Sequence, residues 1–140
     1  MAYTIIEVER QTGIPSRKIR FWCDKGLFFF VQNDTNGVRY FSKSDIAWVE
    51  WVQCLRACGM PLATIKDYIH LSQQGMKSAP QRKAILEQQL QALHAQLDTL
   101  QKAEQKIAHK ITLYTQMITE QKDFLNPQHP DYTGTCNKNP

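Results

Sequence analysis

The sequence predicts a mainly α-helical chain: two short helices and a β-hairpin first, then one long C-terminal helix. Three observations predict it. Two short amphipathic segments flank a break at Thr12-Gly13. The tight-turn pair Asn36-Gly37 lies between two β-prone runs. An apolar seam with alternating spacings of four and three runs from Leu86 to Ile118. Two short helices joined by a glycine-containing turn form a helix-turn-helix, and a hairpin directly after it is a wing. The expected architecture is an N-terminal winged helix-turn-helix followed by a long C-terminal dimerisation helix.

The first helix has a capping-box start at Thr4-Ile5-Ile6-Glu7 and runs to about Gln11. Met1 to Gln11 reads as amphipathic helix throughout. Pro15 suits the first turn of the second helix, where a missing N–H costs nothing. That helix is expected to reach about Asp24, with Gly26 ending it. The run Leu27-Phe28-Phe29-Phe30-Val31 and the run Val38-Arg39-Tyr40-Phe41 are the expected hairpin strands, although the three phenylalanines must also pack into a core. Ser42 with Asp45 predicts the cap of a third helix ending at Gly59. A fourth is expected from Pro61 to Gln74, with Gly75 as its C-cap. Ser78-x-x-Gln81 has the form of another capping box.

The last helix carries Leu86, Leu90, Leu93, Leu97, Leu100, Glu104, Ile107, Ile111, Tyr114 and Ile118 on one seam, a heptad pattern with one charged member. At about 1.5 Å per residue it extends roughly 50 Å. A domain ending near residue 75 is too small to cover such a stripe, so homodimerisation through it is expected. The alternative is a helix folded back on its own domain. The expected divisions are 1–75 for the winged helix-turn-helix, 76–125 for the coiled-coil helix and 126–140 for a flexible tail rich in Pro, Asn, Gly and Thr.

Lys and Arg outnumber Asp and Glu by 17 to 13, a mild excess that fits nucleic acid without requiring it. There is no signal-peptide h-region and no apolar run of about 18 residues. A cytoplasmic protein is expected, with no membrane partner, and with Cys23, Cys54, Cys58 and Cys136 as free thiols.

Placement of the charges says more than their sum. Projected at about 100° per residue, the second helix turns Ile19, Trp22 and Cys23 to the core. Arg17, Arg20 and Phe21 lie on the other side, with Lys18 and Lys25 at its margin. Cations with one aromatic on an exposed helix face suit the major groove, and Arg39 just after the wing turn suits backbone or minor groove. The candidate DNA contacts are Ser16, Arg17, Lys18, Arg20, Phe21, Lys25, Arg39 and Tyr40. Tyr40 and Phe41 are expected to alternate between core and surface.

In order and register, Tyr3-Thr4-Ile5, Thr12-Gly13-Ile14-Pro15, Ile19-Arg20-Phe21-Trp22, Lys25-Gly26-Leu27, Asn36-Gly37-Val38-Arg39-Tyr40-Phe41-Ser42, Asp45-Ile46, Leu55-Arg56-Ala57-Cys58-Gly59-Met60 and Ile65-Lys66 resemble the MerR family of transcription regulators. Cys54 before Leu55-Arg56, with Tyr68-Ile69, Gly75, Arg82-Lys83, Lys110-Ile111 and Tyr114, most resembles the branch that includes the AdhR and NmlR regulators. Pro15 replaces the family's usual Ser or Thr, and Phe21-Trp22 its Tyr-Tyr pair. The resemblance implies dimers joined by an antiparallel coiled coil. It implies that they sit on double-stranded promoter DNA and distort an over-long spacer so that RNA polymerase can engage. The branch implies a response to aldehyde, electrophile or thiol stress through the cysteine matching Cys54.

The third helix is apolar on two sides, Ile46-Val49-Val52 and Ala47-Trp51-Cys54-Cys58. The second side is expected to meet the partner's dimer helix, which would set Cys54 between reading head and dimer contact. A sensor thiol needs thiolate character, for which Arg56 or a lysine of the partner is the expected source. The opposing reading makes Cys54 a small buried hydrophobe. No metal is expected, since His70, His94, His109 and His129 show no ligand spacing, and no other cofactor is expected either. A thiol enzyme is not expected, because no histidine lies in the first 69 residues to serve as base. The remaining alternatives are an interaction protein whose winged helix binds a protein partner, and the same regulator fold with a metal-dependent or effector-independent response.

Overall fold

A computed structural model describes residues 1–133. The elements are β1 (Tyr3–Thr4), α1 (Ile5–Thr12), α2 (Ser16–Asp24), β2 (Gln32–Asn33), β3 (Arg39–Phe41), α3 (Lys43–Ala57), α4 (Leu62–Leu71), a 3₁₀ segment (Ser72–Ser78) and α5 (Ala79–Glu120). The chain is mainly helical, with the expected helix-turn-helix and long last helix in place. It divides into two compact units, Met1–Gln91 and a second beginning at Ala92.

In the first unit Thr4 caps α1 by accepting the Glu7 N–H at 3.4 Å, and Gly13 ends the helix with φ of 75°. At this turn Thr12 Oγ1 donates to the Val8 carbonyl and accepts from the Ile14 N–H, so the backbone groups freed by the break are satisfied. Tyr3 and Thr4 are strand and not helix. β1 pairs antiparallel with β3, Tyr3 opposite Phe41, in a sheet of order β1-β3-β2. Two residues have no periodicity to read, so local sequence could not announce this strand.

The hairpin is also smaller than expected. The first wing strand is Gln32–Asn33, paired with Tyr40 and Arg39, and the aromatic run before it is irregular chain. Burial overrides β-propensity here. Leu27 and Phe28 are drawn into the core, and Phe30 stacks between Phe28, Phe29 and Trp48 at centroid distances of 5.1–6.1 Å. The turn itself is as expected. Asp34 exchanges backbone bonds with Gly37 and Val38, and its Oδ1 accepts from the Asn36 and Val38 amides. Gly37 takes φ of 80°.

α3 opens on a complete capping box: Ser42 Oγ accepts the Asp45 N–H at 3.0 Å and Asp45 Oδ2 accepts the Ser42 N–H at 2.9 Å. Its Ile46-Val49-Val52 stripe joins Val8, Ile19, Trp22, Phe41, Ile65 and Ile69 in one core. α4 stops at Leu71, short of Gln74, and the 3₁₀ segment carries the chain through Gly75 at φ 64°, ψ −143°. Ser78 is buried, but its hydroxyl is spent on the Leu71 and Gly75 carbonyls and on accepting Arg82 Nε. The connection took the hydroxyl that the expected Ser78–Gln81 capping box required.

Ile85 and Leu86, at the start of α5, pack against this core. Leu86 therefore has a partner within its own chain, and the expected seam becomes uncovered at Leu90. In the second unit α5 ends at Glu120, followed by Gln121 at φ 57°, and the Lys122 N–H returns to the Met117 carbonyl at 3.1 Å. Of the tail expected over 126–140, the part to 133 forms turns, with the Thr133 N–H on the Phe124 carbonyl at 3.2 Å. Cys136 lies outside the described residues. Among the described residues no helix is long and apolar enough to cross a membrane.

Candidate nucleic-acid interface

α2 follows from its residue pattern. Ile19 and Trp22 are buried, while Arg17, Lys18, Arg20, Phe21 and Lys25 are exposed beside one another along the other side. Phe21 stays 48% exposed although it is aromatic, so it is not part of the core. The Lys25 ammonium lies 5.4 Å from the Phe21 ring centroid, a cation–π contact that holds this end of the face in shape. Lys18 leans toward α3: its Nζ donates to Gln53 Oε1 at 3.3 Å and lies 5.9 Å from the Trp22 ring.

Ser16 departs from the expected set. It is buried, and its hydroxyl donates to the Glu9 carboxylate, which ties α2 back onto α1. Position in the first turn of α2 turns its side chain inward, so only its backbone remains for a DNA contact.

The wing brings Arg39 to the same region. Arg39 Nη2 is 2.6 Å from Asp24 Oδ1, at the C-terminal end of α2. Arg20 and Arg39 line a common groove of about 430 Å³ with Thr4, Ile5, Ile6, Gly37 and Val38. Tyr40 is exposed and donates its hydroxyl to Asp34 Oδ2 at 3.3 Å, while Phe41 is fully buried, the expected alternation. Together the two elements present a cationic surface with aromatic and aliphatic patches, suited to phosphate and base edges alike. The sequence reading missed Asp24, Gln53 and Asp34. Asp34 had a visible signal: an Asp two residues before Asn-Gly is placed to cap a turn.

Among the described cysteines none is fully buried. Cys54 is exposed on α3, so within the chain it is no buried hydrophobe. Arg56 does not serve it: its guanidinium donates to the Met60 carbonyl at 2.9 Å. The Cys54 thiol is held above its ordinary value, first by desolvation, then by the charge of Cys58 and by its hydrogen bond. Cys23 is half-buried, and burial pushes its thiol up. Arg39 draws it down, and Asp24 pushes it up again. Among the described residues no three His, Cys, Asp or Glu side chains gather as a metal site requires.

Residues 3–71 match the MerR HTH family regulatory protein family, and residues 46–110 the MerR DNA-binding family. An uncharacterised HTH-type transcriptional regulator of Haemophilus influenzae is 28% identical over 81% of this chain and 84% of its own. The HTH-type transcriptional regulator AdhR of Bacillus subtilis is 29% identical over 64% of each chain. HiNmlR, a MerR family regulator lacking the sensor domain and crystallised on promoter DNA, superposes with a TM-score of 0.80 at 26% identity, covering 93% of this chain and 100% of that one. A MerR family regulator from Bacillus thuringiensis superposes at 0.73 with 31% identity, covering 81% of this chain and 100% of its own. On these matches, laid over a helix-turn-helix and wing with a shared cationic surface, the chain belongs to the MerR family of DNA-binding transcriptional regulators.

Proposed function

We propose that this chain works as a homodimer that seats α2 and the wing of each protomer on a promoter and distorts an over-long spacer so that RNA polymerase can engage it. One observation carries the reading: Arg17, Arg20, Phe21 and Lys25 are exposed on α2, and Arg39 of the wing lines one groove with Arg20. The likeness to HiNmlR on promoter DNA supports it. The dimer is supported by the seam of α5, where Leu100, Ile107, Ile111 and Ile118 are 60–69% exposed. So many large apolar side chains left in water on one helix face call for a partner helix. A regulator of this kind acts by favouring a strained duplex, stabilised through contacts that only the strained form permits.

In the same reading Cys54 is where an aldehyde or oxidant enters. Its exposure on α3 supports this. Among the described residues no cation lowers its pKa, so the reaction depends on reagent concentration and pH more than on a preformed thiolate.

The test is binding of the purified chain to a promoter fragment from beside its own gene, against a scrambled fragment, over a salt titration. Preference for the promoter and a steep salt dependence are expected, and Arg17→Ala or Arg20→Ala should each flatten the log–log salt slope by about 1 if that residue meets a phosphate. Equal binding of both fragments would turn the winged helix toward a protein partner instead. Promoter unwinding measured with and without an aldehyde, in the intact chain and in Cys54→Ser, tests the sensor: a response that survives the substitution removes Cys54 from the mechanism.

A further inference from the structure

We propose that Asp24 is a positioning residue for DNA recognition, holding the Arg39 fork of the wing in the orientation that reads the promoter. The inference rests on the DNA-binding reading above. Asp24 is the one acidic residue of α2, at the end of a face that otherwise carries cations. A carboxylate there repels phosphate, so on electrostatic grounds alone it weakens DNA binding. Its geometry gives it another task. Oδ1 meets Arg39 Nη2 at 2.6 Å, with the Arg39 side chain 27% exposed and that of Asp24 65%. The contact links the last turn of α2 to the first residue of β3, two elements that the chain joins only through the aromatic run and the wing turn.

An arginine fork suits this arrangement. The guanidinium is planar and offers five N–H donors in fixed directions. Among the described residues only Nη2 has a hydrogen-bond partner, so Nε and Nη1 are left to donate elsewhere. Arg39 also lines the groove it shares with Arg20. A carboxylate fixing one edge of the plane decides where the other donors point. Without it, Arg39 keeps its charge and loses its direction. The inferred consequence is a split: Asp24 lowers affinity for DNA in general and raises the preference for the promoter.

The experiment compares the full chain with Asp24→Asn, Arg39→Gln, the double variant and Arg39→Lys, on the promoter fragment and on a scrambled fragment at one salt concentration. Asp24→Asn is expected to bind scrambled DNA at least as well as the wild type while its promoter-to-scrambled ratio falls on the order of tenfold, the size of coupling seen between contacting charged groups. Introduced into Arg39→Gln, the same change should no longer lower the ratio. Arg39→Lys, which keeps the charge without the fork, should lower it as Asp24→Asn does. The proposal is overturned if Asp24→Asn tightens both fragments by one factor, if its effect is undiminished without Arg39, or if Arg39→Lys keeps the full ratio. A wild type that does not distinguish the fragments is a different failure, since it removes the DNA-binding reading itself.

Discussion

At Cys54 the surroundings set a rate more than a switch. The thiol is exposed, and its proton is held more tightly than in a free cysteine, by desolvation first and by Cys58 after it. A raised thiol value means a smaller thiolate fraction at neutral pH, and the thiolate is the nucleophile. Alkylation of Cys54 by iodoacetamide at pH 7 is therefore expected to be slower than that of an unstructured cysteine peptide, and to go on climbing at alkaline pH where the rate of the peptide has levelled off. Cys58→Ala removes the neighbour that helps hold the Cys54 proton and should speed the reaction. The check is peptide mass after timed labelling. A Cys54 that outpaces the peptide at pH 7 would mean that a cation reaches it in the assembled protein, as the partner lysine of the sequence reading would. Cys23 differs in its neighbours. Asp24 raises its thiol and Arg39 lowers it, so the two charges that position the wing also bear on a half-buried sulfur beneath them.

At the scale of elements, the connection between α4 and α5 depends on Gly75. Its φ of 64° and ψ of −143° lie where side chains are strained whatever the space around them, and nothing stands within 4 Å of a Cβ placed there. The cost of Gly75→Ala is thus purely backbone, about 1–3 kcal/mol, read as a lower midpoint in urea with an unchanged slope. Its carbonyl accepts from both Ser78 Oγ and Arg82 Nη2, so the conformation is fixed from the far side as well. A special backbone conformation at Gly75 was legible because glycine reports backbone need locally, but Gly75 breaks the 3₁₀ connection and does not cap α4, which ends at Leu71 with Ser72 as its cap. Asn36-Gly37, Ser42 with Asp45, and the break at Gly13 were legible for the same reason, each motif satisfying its own amides within a few residues. The aromatic run misled because strand propensity and core burial ask for the same residue types, and only the fold decides between them. β1 and the Asp24–Arg39 pair were invisible, since each is defined by a partner far along the chain: Tyr3 by Phe41, and Asp24 by Arg39. The interface cations could be read because the 3.6-residue period separates Arg17 and Arg20 from Ile19 and Trp22, whereas the inward turn of Ser16 depends on Glu9, a residue of another helix.

At the scale of the whole molecule, function depends on how one reading head is tied to a second, and α5 is the element with an unspent surface. Leu86 already serves the first unit, but Leu90, Leu97, Leu100, Ile107, Ile111, Tyr114 and Ile118 are all about half exposed or more. Glu104 sits among them in the same seam, where a carboxylate between paired helices must lose water without gaining an apolar contact. Two substitutions should then move the dimer in opposite directions. Ile107→Asp puts a second charge one turn from the first and should shift sedimentation toward the monomer, with the circular dichroism of the first unit largely retained because its core lies elsewhere. Glu104→Leu completes the apolar seam and should shift the equilibrium toward the dimer and raise the unfolding temperature in a concentration-dependent way. DNA binding should follow, since two heads on one pseudo-palindrome gain from their linkage and a released monomer keeps only its single-site affinity. If Ile107→Asp leaves both the sedimentation coefficient and promoter affinity unchanged, the seam of α5 is not the dimer contact, and the side of α3 where Ala47 and Cys54 are exposed becomes the surface to test.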